Sequence, residues 1–250
     1  MNRRRFYSAH LLLWLAAVAA CSGPSSAELL ADAETAVAAG DLATADIHLR
    51  NLLADEPDNA AGRALLGRIA TDLGDFSAAE AHLRRARDLG VDTAEVRIAL
   101  MRALTGQRKY EQAIDLFESG PELTGDERVR MLQVAAAAYR GVGELEESEA
   151  LYREALALEP GSRAIRTELA SLMLGNGRND EARELIEGVL ATDREYPPAL
   201  LLRGEYETRI GLSDAAEQTY RRVMEIAERG DPSFGRAQMY LVELLLDRLE

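Results

Sequence analysis

A period of 34 residues runs through this sequence and limits what the chain can fold into. Glycine recurs between apolar segments at Gly40, Gly74, Gly143, Gly177 and Gly211. The longer step from Gly74 to Gly143 skips one turn, where Arg108 takes the place of glycine and one repeat has 35 residues. A fixed period of this length is typical of solenoids, in which each unit buries its apolar face only against its neighbours.

The size of the side chains follows the same period. A small residue comes five positions after each turn, and the series is Ala45, Ala79, Ala113, Ser148, Ala182 and Ala216. A large apolar residue comes nine positions after each turn, as Leu49, Leu83, Phe117, Tyr152, Ile186 and Tyr220. A small residue also precedes the turn by seven positions, as Ala33, Gly67, Ala136, Ala170 and Gly204, and only Met101 departs. Small residues allow two helices to approach closely, and large residues fill the space between layers.

The composition favours helices. Ala, Leu, Glu and Arg dominate, aromatic residues make up only 5% of the chain, and long stretches lack proline. Pro57 and Pro160 stand where two helices are expected to end. We therefore expect an all-α protein.

These periodic residues together resemble the tetratricopeptide repeat. Numbered within one repeat, a small residue stands at position 8, Gly at 15, Ala at 20, a large apolar residue at 24 and Pro at 32. The resemblance covers residues 26–230 and implies a right-handed superhelical solenoid of stacked helix-turn-helix units. The six predicted repeats are 26–59, 60–93, 94–128, 129–162, 163–196 and 197–230. Residues 231–250 are expected to begin a seventh repeat or a terminal helix, and their apolar character suggests a fragment of a longer array.

The first residues have the order of an export signal. Basic Arg3, Arg4 and Arg5 precede an apolar run from Leu11 to Ala20, which at about ten residues is shorter than the roughly 20 that span a membrane. The segment VAAC resembles a bacterial lipobox, which implies a signal peptide over 1–20, lipidation of Cys21 and a flexible tether over 21–28. Ser22 then implies an outer-membrane protein that faces the periplasm. A signal cleaved near Ala20 that leaves a free thiol, or an uncleaved helix, stays open as an alternative.

The charge balance bears on possible partners. The formal net charge is −14, and residues 1–20 contribute three arginines and no acid, so the remainder carries −17. Such a body repels polyanions, and no nucleic-acid partner is expected.

The resemblance places a partner-binding groove on the first helix of each repeat, at positions near 2, 5, 9, 12 and 13. The candidates are Arg68, Thr71, Asp72, Arg102, Thr105, Arg130, Gln133, Arg140, Thr167, Asn176 and Glu205. Arginine can hold a carboxylate through two parallel hydrogen bonds, so acidic peptides or uronic-acid sugars are the expected ligands. In the alternative, these arginines only pair with neighbouring acids on the protein itself.

No pattern in the sequence points to catalysis. There is no phosphate-binding loop and no activated serine. His48 and His82 share a repeat position, but equivalent helices lie too far apart for a zinc ion, whose nitrogen ligands are about 2 Å away. The acidic run is Glu144, Glu146, Glu147 and Glu149. It begins a helix, where the positive end of the helix dipole stabilises acidic side chains. We expect no enzyme activity, no cofactor and no metal.

Two local segments of the sequence suggest a narrower resemblance. Residues 27–69, which open AELLADAET, and residues 81–117 resemble the tetratricopeptide lipoproteins of the PEP-CTERM and exosortase system. That family implies an envelope scaffold with protein partners in protein sorting and exopolysaccharide production. Two alternatives are a pilus or outer-membrane assembly lipoprotein, and an accessory factor that binds acidic exopolysaccharide during export.

Overall fold

The computed structural model describes residues 24–247, which form thirteen α-helices and no strand, so the predicted all-α fold is confirmed. The helices are α1 (Ser26–Ala38), α2 (Leu42–Asp55), α3 (Ala60–Asp72), α4 (Phe76–Asp88), α5 (Ala94–Gly106), α6 (Tyr110–Glu118), α7 (Gly125–Val142), α8 (Leu145–Leu158), α9 (Arg163–Gly175), α10 (Asn179–Thr192), α11 (Pro197–Arg209), α12 (Ser213–Ile226) and α13 (Pro232–Asp247). We call the odd-numbered helices first helices and the even-numbered helices second helices.

The chain divides into two compact units. The first unit ends at Gln107 and includes α1 to α5, and the second begins at Arg108 and includes α6 to α13. Within the first unit α1 packs on α2, and α3 packs on α4. Within the second unit the pairs α7 with α8, α9 with α10 and α11 with α12 pack in the same way. Both units are therefore built from repeated helical hairpins.

A left-handed residue ends the first helix of each hairpin. Gly40 and Gly74 have φ values of 75° and 78°, and Gly177 has 74°. Glycine suits this conformation because it has no Cβ atom to clash with the backbone. Arg108 adopts the same conformation with φ 62° and is the one non-glycine residue with positive φ in the described range. The repeat thus keeps its turn geometry even where the sequence lacks glycine.

Each unit has a core in which small and large side chains interlock. In the first unit Gly67 faces Leu83, and a Cβ atom added to Gly67 would lie 2.5 Å from Leu83 Cγ. In the second unit a Cβ atom on Gly204 would lie 2.4 Å from Cε1 of the buried Tyr220. Ser148 is buried at a small-residue position, and its hydroxyl donates a 2.7 Å hydrogen bond to the Ala136 carbonyl. First and second helices can pack this closely because one partner has almost no side chain.

Two segments differ from their expected limits. The tether predicted over 21–28 overlaps α1, which begins at Ser26 because Ser25 and Glu28 form a reciprocal capping box. Helix α7 begins at Gly125, before the predicted fourth-repeat start at residue 129. The predicted signal peptide and Cys21 lie outside the described residues. Among the described helices, none has the length and apolar content needed to cross a membrane.

Candidate partner-binding surfaces

The first helices of the first unit enclose a shallow concavity of about 320 Å³. Apolar side chains from α1, α3 and α5 line much of it, including Val37, Leu65 and Val96. Arg68 adds a guanidinium group, and its side chain forms no ion pair or hydrogen bond with any residue of 24–247. Glu34 also lines the concavity. This surface combines an apolar floor with an available cation, which suits a side chain that carries a carboxylate beside apolar atoms.

The first helices of the second unit enclose another concavity, of about 360 Å³. Its lining residues come from α7, α9, α11 and α13, together with Leu145 at the start of α8. Arg140 and Arg236 contribute positive charges, and Glu205 contributes one negative charge. Both volumes fall within the usual range of about 300–1,000 Å³ for sites that hold a small ligand or a ligand side chain.

The charged groups of this second concavity differ in how firmly they are held. Arg140 Nη1 lies 3.4 Å from Glu168 Oε2, a long and half-exposed ion pair. Glu205 Oε1 accepts a 3.1 Å bond from Arg209 Nη2. The Arg236 guanidinium stands 5.8 Å from the centre of the Tyr240 ring, and Nη2 lies 3.3 Å from the tyrosine hydroxyl. A guanidinium group held against an aromatic face keeps most of its donors available for an incoming anion.

The structure brings together only part of the predicted groove. Arg140 and Glu205 line the concavity of the second unit, and Arg68 lines that of the first. Asp72 and Arg102 pair with each other at 3.0 Å and so agree with the alternative of internal pairing. Four further predicted groove residues line neither concavity: Thr105, Arg130, Gln133 and Asn176. Of the predicted groove residues, Arg68 thus lines a concavity of the first unit, and Arg140 and Glu205 line a concavity of the second.

Two of the predicted groove residues, Thr71 and Thr167, are buried. Thr71 is only 2% exposed and Thr167 only 8% exposed, so neither side chain can contact a partner in the groove. Each hydroxyl donates instead to a carbonyl four residues earlier, Thr71 to Gly67 at 2.9 Å and Thr167 to Arg163 at 2.7 Å. Helix interiors satisfy buried threonine in this way. Repeat spacing placed both residues on the groove side, but the observed side chains turn toward the helix backbone.

Two residues of the second concavity were missed by the sequence reasoning. Arg236 and Tyr240 lie on α13 and line the concavity beside Glu205. The prediction assigned groove residues only in the six repeats and stopped before residue 231. Tyr240 lies 35 residues after Glu205, one more than the usual period, so a 34-residue extension of the repeat into α13 points to Met239 instead.

The other polar clusters form internal contacts. Glu149, in the acidic run, accepts hydrogen bonds from Arg153 and Arg178, and the Arg178 guanidinium lowers the pKa of this carboxyl group. His82 Nδ1 lies 3.1 Å from Arg63 Nη1, and partial burial followed by the arginine charge lowers the pKa of the imidazole. Residues 24–247 contain no group of three or more side chains arranged to hold a metal ion.

Comparison with known proteins supports the repeat pattern. The family model described as tetratricopeptide repeat matches residues 36–96 and 139–206, which are just over half of the chain. Cellulose synthase operon protein C from Xanthomonas axonopodis pv. citri (strain 306) is 31% identical over 178 residues. That match covers 68% of this chain but only 12% of the Xanthomonas protein.

Solved structures share the fold at low sequence identity. PilW, described as a widely conserved type IV pilus biogenesis factor, has a TM-score of 0.69 and 17% identity over 87% of this chain and 100% of that chain. PilF of Pseudomonas aeruginosa has a TM-score of 0.62 and 17% identity over 86% of this chain and 97% of that chain. Likeness at this level of identity concerns the helical repeat fold alone.

Proposed function

Because this chain belongs to the tetratricopeptide repeat family, we propose that it is a non-catalytic adaptor that holds a protein partner on the surfaces formed by its first helices. Proteins of this family bind other proteins and are generally scaffolds. The observation that carries the proposal is the pair of concavities, each lined mainly by first helices and each supplied with arginine. An apolar floor with a few charged groups is the usual composition of a binding pocket.

We assign the partner to the production of surface polysaccharide. The likeness to a cellulose synthase operon protein supports this assignment, although the match covers only 12% of that protein. The resemblance of residues 27–69 and 81–117 to lipoproteins of the PEP-CTERM and exosortase system points to the same class of process. Within this proposal, the adaptor brings a sorting or polymer-export component to the envelope.

The proposal includes a lipid anchor on Cys21 and a location on the periplasmic side of the outer membrane. Its support is the order of basic patch, apolar run and cysteine in the sequence. Acyl chains contribute about 0.8 kcal/mol for each buried methylene, so a modified Cys21 would hold the chain at a membrane. Metabolic labelling with an alkyne fatty acid should mark the full-length chain, and Cys21→Ser should abolish the label. Labelling that survives this substitution would refute the anchor.

A pull-down from detergent-solubilised envelope tests the adaptor role. The variant carries Arg68→Glu and Arg140→Glu, one reversal in each concavity. The matched control is Arg221→Glu, an exposed arginine on the second helix α12 that lines neither concavity. We expect the double variant to lose the partner that wild type and control retain. Equal capture by all three proteins would place the interaction elsewhere on the chain.

The identity of the captured protein tests the pathway separately. A component of polysaccharide synthesis or export, or of the sorting system, is the expected partner. A pilus or outer-membrane assembly protein would instead support the alternative assembly role, while leaving the adaptor role intact.

Direct binding of acidic polysaccharide is a second candidate, favoured by the unpaired Arg68. Alginate, a polymer of uronic acids, serves as the probe in a titration at low and high salt. Binding that weakens with salt and with Arg68→Glu would support this candidate, because such binding depends on exposed charges. Absence of alginate binding at low salt would exclude it.

A further inference from the structure

A recurring contact joins an aromatic ring to a glycine of the following repeat. In the first unit Phe76, the first residue of α4, lies against Gly106 at the end of α5, and a Cβ atom on Gly106 would be 2.4 Å from the ring. In the second unit Tyr110, the first residue of α6, lies against Gly141 near the end of α7 at 2.5 Å by the same measure. The ring occupies the space that a side chain would otherwise take.

In the next pair of consecutive repeats, the glycine is present but the aromatic ring is absent. Leu145 is the first residue of α8, and Gly175 is the last residue of α9. A Cβ atom added to Gly175 would meet nothing within 4 Å. Leu145 and Gly175 both line the 360 Å³ concavity of the second unit. This concavity therefore includes the position where Phe76 and Tyr110 place aromatic rings in the two preceding steps.

The charges around this space favour an anion beside the ring. Arg236 contacts Tyr240 and has no acidic partner among the described residues. Arg140 has only the long contact with Glu168, and Glu205 is paired with Arg209. The group with most unused hydrogen-bonding capacity is thus the Arg236 guanidinium, which binds carboxylates well.

We propose that this cavity receives an aromatic side chain of the partner, with a neighbouring carboxylate bound by Arg236. The inference deepens the proposed adaptor function and rests on it, because it names the chemistry of the segment that the second unit recognises. The aromatic ring would lie over Gly175 and against Leu145. An aromatic residue followed closely by Asp, Glu or a chain-terminal carboxylate is the expected sequence of the bound segment.

A small-molecule titration tests the cavity without knowledge of the partner. The probe is 3-phenylpropionate, which joins a phenyl ring to a carboxylate, and the comparison is 2-phenylethylammonium, which reverses the charge. In amide NMR spectra of the full chain we expect saturable shifts at Leu145 and Gly175 with the anion and much weaker effects with the cation. Shifts centred elsewhere, no saturable shift, or stronger effects with the cation would each overturn the inference.

Two variants of the full chain give a matched test. Leu145→Phe should fill the cavity from within, as Phe76 and Tyr110 do in the preceding steps, and weaken phenylpropionate binding at least about tenfold. Leu42→Phe is the control, since Leu42 is the first residue of second helix α2 and does not line this cavity. Arg236→Gln should weaken binding of the anion but should not weaken binding of 3-phenylpropanol, the neutral analogue. Unchanged anion binding in either Leu145→Phe or Arg236→Gln would refute the proposed pose.

The same variants separate this inference from the adaptor proposal. If wild type and Leu42→Phe capture the envelope partner and Leu145→Phe does not, both proposals are supported. If Leu145→Phe also captures the partner, the aromatic site is refuted while the adaptor role stands. If wild type captures no partner but binds phenylpropionate at Gly175, the adaptor role fails and the cavity chemistry stands.

Discussion

At the residue scale, side-chain volume at two repeat positions decides how closely the helices of a hairpin approach. Gly204 leaves space that the ring of Tyr220 occupies, and Gly67 does the same for Leu83. The periodic series of small and large residues predicted this interlocking before any helix was placed. It could not predict the orientation of Thr71 and Thr167, because repeat spacing assigns a position to a Cα atom and does not select a rotamer.

Replacing Gly204 with alanine should destabilise the second unit. The added Cβ atom would lie 2.4 Å from Tyr220, so the ring or the helix must move, at a cost of about 1–3 kcal/mol for an overpacked core. Gly188→Ala is the control, because Gly188 is an exposed helical residue with nothing within 4 Å, and it should gain about 0.5–1 kcal/mol. Urea denaturation followed by circular dichroism measures both. Equal effects of the two substitutions would contradict the close packing.

Arg108→Gly should stabilise the chain. The left-handed conformation costs an ordinary residue roughly 1–2 kcal/mol, and part of the gain is offset by the greater freedom of glycine when unfolded. A net increase of about 0.5–1 kcal/mol is expected for Arg108, whose φ is 62°. Gly177→Ala, at the same turn position with φ 74°, should have the opposite sign. A loss of stability in Arg108→Gly would show that the arginine side chain matters more than its backbone.

Alkaline pH should weaken the fold through its buried tyrosines. Burial is the main cause that raises the pKa of Tyr220 to about 12 and that of Tyr139 to about 12. The pKa of each phenol in the folded state is above the usual value near 10. The folded state therefore binds more protons than the unfolded state as the pH rises above 10. The associated stability is complete below pH 10 and is lost as pH rises from about 10 through 12. Urea midpoints that do not fall in this window would argue against burial of these phenols.

At the element scale, the two units differ in how their helices begin. All five helices of the first unit have a side-chain cap, from Ser25, Asp41, Asn59, Asp75 and Thr93. Helices α6 to α12 of the described chain have no side-chain cap hydrogen bond. These helices depend more on packing, since an uncapped helix end leaves several backbone N–H groups to solvent. The period predicted where helices lie, but Gly125 and Ser26 as starting points depend on local sequence outside the repeat pattern.

Leu212→Asp should supply one of the missing caps. Leu212 is 52% exposed and stands before α12 with φ −89° and ψ 60°, close to the values of −81° and 71° at the capping residue Asp75. A new cap typically stabilises a protein by about 1 kcal/mol. The reverse change, Asp75→Leu, should lower stability by a similar amount. Thermal denaturation of both variants checks the pair, and a lower melting temperature for Leu212→Asp would contradict the proposed cap.

At the scale of the whole molecule, an acidic chain presents arginine on the surfaces that its first helices form. The net charge is −14, yet Arg68 lines one concavity and Arg140 with Arg236 lines the other. The fold class and the use of first helices could be predicted from the period. The open space beside Gly175 could not, because it depends on which side chains are absent at one particular repeat.

Site-specific photo-crosslinking in the native envelope tests whether the first helices hold the partner. The photoreactive residue p-benzoylphenylalanine is placed at Ala61 or Ser171, which line the first and second concavities, and at Glu187, an exposed residue of second helix α10. We expect that at least one concave position crosslinks a defined envelope protein while Glu187 does not. A partner crosslinked from Glu187 but from neither Ala61 nor Ser171 would contradict this expectation.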